Sequence, residues 1–187
     1  KPYNVRIVKG KINSVIKLRE SAIVLSALEY DELTGLYIRQ AFFHHAKTLM
    51  RVKNDQKFHV VVADVKNFKW INGTYGEKTG DQVLAYLGDA YKKQVHSGMV
   101  ARYGGDQFVA IVYGDLNLAE EKVEAAIHRI AERAPISNLA VNYGIYENVD
   151  KTLPLTLICD RAFLAMKSIQ NDYEHSFAFY DEEMGRK

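Results

Sequence analysis

The sequence predicts an α/β (α+β) domain, a central mixed sheet surrounded by helices, and three observations carry that expectation. Phe58-His-Val-Val-Val-Ala-Asp-Val65 is rich in β-branched residues and reads as a central strand. Ala101 to Tyr113 reads as strand, two-glycine turn and strand, which makes an antiparallel hairpin around Gly104-Gly105. Segments with apolar residues at helical spacing separate these strands, so helices must cover the sheet.

In chain order, Lys1 to about Gly10 has strand-like character (Val5, Ile7, Val8) without a clear period. Lys11 to Tyr30 carries an approximate helical stripe through Ile12, Val15, Ile16, Ala22, Ile23 and Ala27. That N-terminal helix is a linker, a partner-binding helix, or a helix packed on its own domain. Asp31-Glu-Leu-Thr-Gly-Leu36 breaks it, because Asp31 accepts backbone N–H bonds and Gly35 permits a turn. A second helix follows with Phe42, Ala46, Leu49 and Met50 on one side. His44 and His45 are neighbours on it and point in different directions, so they are read as two partly exposed histidines and not as a shared metal site. After the central strand, Lys66 to Thr79 reads as a packed-down loop with Asn67, Asn72, Gly73 and Gly76.

A helix is expected from about Gly80 to Gln94, with Val83, Leu84, Leu87, Ala90 and Tyr91 on one face. Beyond the hairpin, Leu118 to Ala134 is amphipathic and ends before Pro135. Leu139, Val141, Tyr143 and Ile145 alternate, as in a half-buried strand. Pro154 opens a helix through Ile158, Ala162, Ala165 and Ile169. Phe177 to Tyr180 is a last short strand, and Asp181 to Lys187 is a charged tail. The expected division is therefore 1–29 as an N-terminal helix or linker, 30–180 as the domain, and 181–187 as a C-terminal connector.

Composition narrows the function classes. With 187 residues, 48% of them hydrophobic, the chain has ample material for one core. A net charge of +2 leaves no electrostatic footprint for nucleic acid or an anionic membrane. The one cysteine, Cys159, excludes a disulfide framework and points to a reducing, cytoplasmic compartment. No apolar run is long enough to span a membrane and no signal peptide is evident. The chain begins with Lys1, as a fragment of a longer polypeptide would.

Two aspartates stand where chemistry can collect. Asp64 ends the central strand, the end at which open α/β sheets bind ligands, although a lone aspartate there also serves as a cap or turn residue. Asp106 follows a turn without side chains, where a phosphate or another backbone can approach. A carboxylate there suits a metal ligand or general base; a plain hairpin turn explains it equally.

Four pieces then line up: Asp31-Glu-Leu-Thr-Gly-Leu36, Asp64-Val-Lys-Asn-Phe-Lys-Trp-Ile-Asn72, Gly80-Asp-Gln-Val-Leu84 and Arg102-Tyr-Gly-Gly-Asp-Gln-Phe108. Together they resemble the GGDEF domain, the diguanylate cyclase family of bacterial cyclic-di-GMP signalling. The resemblance implies a five-stranded sheet of the nucleotidyl cyclase, palm-like kind. It implies condensation of two GTP molecules across a homodimer interface with Mg²⁺ or Mn²⁺. By the same resemblance Asp64, the carbonyl of Val65 and Asp106 match metal positions, and Asp106 also the catalytic acid or base. Lys69 matches a basic residue near the phosphates. Asn72 and Asp81 match guanine contacts, Phe68 belongs to the substrate-binding segment, and Gly104 and Gly105 let phosphates approach.

The departures from that pattern are as specific as the matches. Gln107 replaces the usual Glu, Lys66 takes the second position of an Asp-x-Asp pair, Gly73 replaces an Asp and Glu77 a His. Gln170 and Glu174 align with a Lys and an Arg that hold phosphates. The inhibitory product-binding Arg-x-x-Asp falls on Val95-His-Ser-Gly98 and is absent. The resemblance therefore implies a degenerate domain that binds GTP weakly or not at all and controls an adjacent phosphodiesterase (EAL) domain, or else an active diguanylate cyclase. Phe179-Tyr-Asp-Glu-Glu-Met184 is similar to the connector of GGDEF–EAL proteins.

Overall fold

The computed structural model describes residues 5–186, except the side chain of Ser26. Helix α1 (Val5–Glu29) leads into a short bridge between Tyr30 and Tyr37, then β1 (Tyr37–Ile38) and α2 (Arg39–Val52). The central strand β2 (Phe58–Val65) is followed by α3 (Phe68–Tyr75) and α4 (Glu77–Gln94). The hairpin is β3 (Gly98–Gly104) and β4 (Gln107–Tyr113). Next come α5 (Glu120–Glu132), β5 (Val141–Tyr146), α6 (Leu155–Ser168) and β6 (Phe177–Phe179), with a 3₁₀ turn at Glu182–Arg186.

The sheet has six strands in the order β1-β3-β4-β2-β5-β6, one more than expected. The addition is β1, only two residues long and so without a readable period; it pairs in parallel with β3 at Tyr37↔Ala101. β2 lies between β4 and β5, antiparallel to both. β6 joins β5 in parallel.

Helices cover both faces. On one, α2 and α6 bury Phe42, Ala46, Ile158, Cys159 and Ala162 against Val60, Val62, Val109 and Ile111. On the other, α3, α4 and α5 bring Ile71, Val83, Leu84, Leu87 and Ile130 toward Ala63, Val65, Val100, Phe108 and Tyr143. Gly144 lets α6 lie close: a Cβ there would sit 2.0 Å from the Ala162 carbonyl oxygen. Gly88 does the same for α4, where a Cβ would stand 2.8 Å from Thr34 Cβ.

Several expectations are corrected. The strand-like reading of Lys1 to Gly10 fails from Val5 onward, where α1 has begun; residues 1–4 lie outside the described residues. Val5, Ile7 and Val8 are β-branched, but they stay exposed on a helix that never enters the sheet. Lys66 to Thr79 is mostly helix, not loop. Asn67 turns the chain in a left-handed conformation (φ 55°) and its carbonyl accepts from the N–H groups of Trp70 and Ile71, which starts α3. Gly76, at φ 86°, then separates α3 from α4. Every residue of β5 is buried, because helices cover both of its faces. The tail is a 3₁₀ turn as far as Arg186, and Lys187 lies outside the described residues.

Candidate functional site

Asp64 occupies the last turn of register on β2. Across the ladder it faces Gln107 on β4 and Asn142 on β5, so three polar side chains form one row on the α2/α6 face. Gln107 Nε2 donates to Asp64 Oδ1 at 3.0 Å. The hairpin turn is stitched to the same strand end, since the Val65 N–H donates to the Asp106 carbonyl at 3.4 Å. The two distant aspartates thus converge beside the glycine bend. Burial pushes the Asp106 carboxyl above its ordinary range, and the charge of Asp64 pushes it further. Val65 itself is buried in the core, which leaves only its backbone to face the site.

The bend is held by Arg102. Its Nε donates to the Gly105 carbonyl at 2.9 Å, and its Nη1 donates to Asp31 Oδ1 at 3.0 Å. Asp31 Oδ2 accepts from the Thr34 N–H at 2.9 Å and the Thr34 hydroxyl at 2.7 Å. Burial alone would raise the Asp31 pKa, but Thr34 and Arg102 together hold it below the ordinary aspartate range. The first and fourth sequence pieces therefore form one structural unit. Gly105 needs its glycine for φ +56°. Around Gly104 and Gly105 a Cβ would meet no atom within 4 Å, so the bend faces open space.

Phe68, Lys69 and Asn72 come from α3, and Asp81 from α4. Asn72 lies against Gly80, where a Cβ would stand 1.8 Å from its Oδ1 and 3.2 Å from Phe68 Cζ. That Oδ1 is buried and has no partner. An orphaned acceptor here costs stability unless a ligand donor reaches it. Phe68 is half-buried on the α4 side, whereas Lys69 and Asp81 are exposed. The structure thus presents two groups, Asp64–Asp106 with the bend, and Phe68–Asn72 with Gly80; Lys69 and Asp81 stand in solvent.

Lys66, at the second position of the Asp-x-Asp pair, turns its charge away from the aspartates. Its Nζ donates to the Asp172 carbonyl at 2.9 Å. This bond also places the turn after α6 near the end of β2. Gln170 and Glu174 are exposed on that turn, where Asp172 Oδ1 accepts from the Glu174 N–H at 2.7 Å. The exposed His175 ring, 2.7 Å from Asp172 Oδ2, has its pKa raised by that bond.

Sequence reasoning missed Asn142. It is 2% exposed and its Oδ1 has no partner, which is unusual for an amide in a buried strand. Its placement beside Asp64 follows from strand register, which a single sequence does not reveal. His44 is exposed; His45 meets Glu29 Oε1 at 3.2 Å. Among the described residues no group of three or more His, Cys, Asp or Glu is arranged to hold a metal.

Against known proteins, the profile of the diguanylate cyclase GGDEF domain matches residues 28–173. The chain belongs to the GGDEF family. Among curated relatives, diguanylate cyclase DgcS of Shewanella oneidensis is 31% identical over 141 residues, covering 66% of this chain and 48% of that protein. Diguanylate cyclase DgcP of Escherichia coli is 31% identical over 121 residues, 60% of this chain and 36% of that one. The chain thus spans half or less of the length of these relatives. The coiled coil and GGDEF domain of DgcB from Caulobacter crescentus, solved with c-di-GMP, superposes with a TM-score of 0.76 at 22% identity, covering 93% of this chain and 97% of that one. The S helix–GGDEF–EAL portion of Vibrio cholerae LapD, bound to c-di-GMP, gives 0.68 at 18% identity over 88% of this chain and 39% of that one. These two likenesses establish the fold.

Proposed function

We propose that this GGDEF domain is a guanine-nucleotide-responsive regulatory module of cyclic-di-GMP signalling with weak or no cyclase activity, acting on an adjacent EAL domain. The Gln107 amide bonded to Asp64 carries this reading. A carboxylate at 107 would give Asp64 a second acidic partner for divalent cations. The amide donates to Asp64 instead, and its N–H occupies an oxygen lone pair that a cation would use.

The residues fit one cation better than two. Asp64, Asp106 and the Val65 carbonyl are hard oxygen donors of the kind Mg²⁺ or Mn²⁺ takes. Burial first, and the charge of Asp64 second, raise the Asp106 carboxyl, so a cation beside both would relieve the second effect. A bound cation would supply Lewis-acid stabilisation of phosphate oxygens. The chain's own contribution is to hold GTP: the Asn72 amide and Asp81 against the guanine edge, Phe68 beneath it, the Gly104-Gly105 bend against phosphates, and Lys69 as the nearby cation. Gln170 and Glu174 add no positive charge on the turn beside β2.

The second reading, an active cyclase, rests on the convergence of Asp64 and Asp106. It requires two protomers. The exposed Ile12, Val15, Leu18, Leu25 and Leu28 of α1 suit pairing with a second copy or with a partner helix. No helix among the described residues is long and apolar enough to cross a membrane, in keeping with a cytoplasmic setting. The deciding experiment incubates the purified chain and Gln107→Glu with GTP and Mg²⁺ or Mn²⁺ and analyses products. Cyclic-di-GMP from the variant alone supports the regulatory reading. Efficient turnover by the unaltered chain establishes the cyclase.

A further inference from the structure

The two faces of the sheet are packed differently. Gly144 lets α6 lie tight on β5, whereas the backbone of α5 makes few close approaches to the sheet. The side chains between α5 and the sheet do not make up the difference. Ala63, Ala110 and Ala126 are short, and a cavity of about 300 Å³ remains among them, Val123, Ile127 and Phe108. A space of this size reaches the lower range of small-molecule sites. It holds about ten groups of water or methylene size.

The chemistry of the walls selects the occupant. The hydroxyls of Tyr91 and Tyr143, which line the cavity, bond each other at 2.9 Å, so one of their two O–H groups is already used and the remaining walls are apolar. Polar residues sit only at the exposed rim: Gln94, Asn117 and Lys122. Among the described residues no carboxylate lines the space, and Lys122 is the one charged side chain on its rim. We infer that this cavity is a binding site for a medium-chain monocarboxylate, its alkyl tail between α5 and the sheet and its carboxylate at Lys122. The floor includes Ala63 and Phe108, neighbours in sequence of Asp64 and Gln107 but on the opposite sheet face. An occupant would therefore brace the strands that carry the candidate nucleotide site. The inference does not depend on the nucleotide reading and stands or falls without it.

Isothermal titration of the chain with hexanoate, octanoate and decanoate, each below its micelle concentration, tests the site. One site per chain is expected, tightening roughly tenfold for every two carbons. Ala126→Phe fills the cavity and weakens decanoate at least tenfold with unchanged circular dichroism; Ala110→Leu serves if that variant does not fold. Lys122→Glu weakens decanoate at least fivefold and leaves decanol unaffected. Unsaturable binding, affinity independent of chain length, or wild-type affinity in a folded cavity-filled variant overturns the site. Equal loss of decanoate and decanol on Lys122→Glu, or no loss of either, overturns the carboxylate assignment.

Discussion

Replacing Gln107 by Glu reverses the electrostatics at the end of β2. In the chain as it stands, the amide donates to Asp64 across 3.0 Å. The variant removes that donor and sets a carboxylate in its place. Two full charges at that separation repel by about 5.5 kcal/mol at an effective dielectric of 20, suited to half-buried groups. Proton uptake limits the damage, because keeping an ordinary glutamate protonated at pH 7 costs about 3.7 kcal/mol. Losing the charge-assisted bond costs about 1.5–3 kcal/mol by itself. Rotation of the side chains toward solvent trims the total, and the metal-free variant should be about 2–4 kcal/mol less stable.

The variant's carboxyl pKa is raised in the folded state, so its deficit is full above that value and shrinks as pH falls through it. Asp64, Asp106 and Glu at 107 form a better cation site, so Mn²⁺ restores the loss; at a hundred times its Kd it returns about 2.7 kcal/mol. Urea unfolding at pH 7 and pH 5, in chelator and in excess Mn²⁺, reads both effects. If the variant is as stable as the parent in chelator, or the parent gains as much from Mn²⁺, the reasoning at 107 is wrong.

Four further outcomes are expected. Arg102→Ala should cost about 2–3 kcal/mol in urea unfolding at neutral pH, since it strips a half-buried Asp31 of its cation and frees the Gly105 carbonyl. Asp31 is held below the ordinary aspartate range by Thr34 and Arg102 against the opposing effect of burial. Its stabilisation is therefore present at neutral pH and lost as pH falls through that lowered value; Asp31→Asn should lack this acid limb. Gly80→Ala should push the Asn72 amide aside, because the new Cβ would stand 1.8 Å from its Oδ1. GTP affinity by titration then falls at least tenfold while the melting temperature stays within a few degrees, the helix gaining about 1 kcal/mol from alanine. Asp106→Asn should stabilise the chain at pH 7, because the raised carboxyl is strained by burial and Asp64 when ionised. The gain should vanish as pH falls through the raised pKa, which a pH series of thermal melts will show.

What the sequence disclosed and what it hid have physical causes. The Val-Val-Val run of β2 and the glycine hairpin were legible because β-branching and a positive-φ turn act locally. The Lys66–Thr79 segment was misread because Asn67, Asn72 and Gly73 are loop formers by composition; a single left-handed residue at 67 was enough to start a helix through them. β5 looked half-buried because Asn142 and Gly144 interrupt its apolar residues, yet one is tucked beside Asp64 and the other makes room for α6. Asp64 and Asp106 were paired by resemblance. Gln107 and Asn142, as the groups flanking Asp64, emerge only from strand register. The swing of Lys66 toward Asp172 depends on a contact 106 residues away in sequence.

The fork of Arg102 has a mechanical meaning. Helix α1 ends at Glu29, two residues before the aspartate that this guanidinium grips, and the same guanidinium grips the carbonyl at the top of the bend. One side chain thus ties the turn that follows the long exposed helix to the peptide beside Asp106.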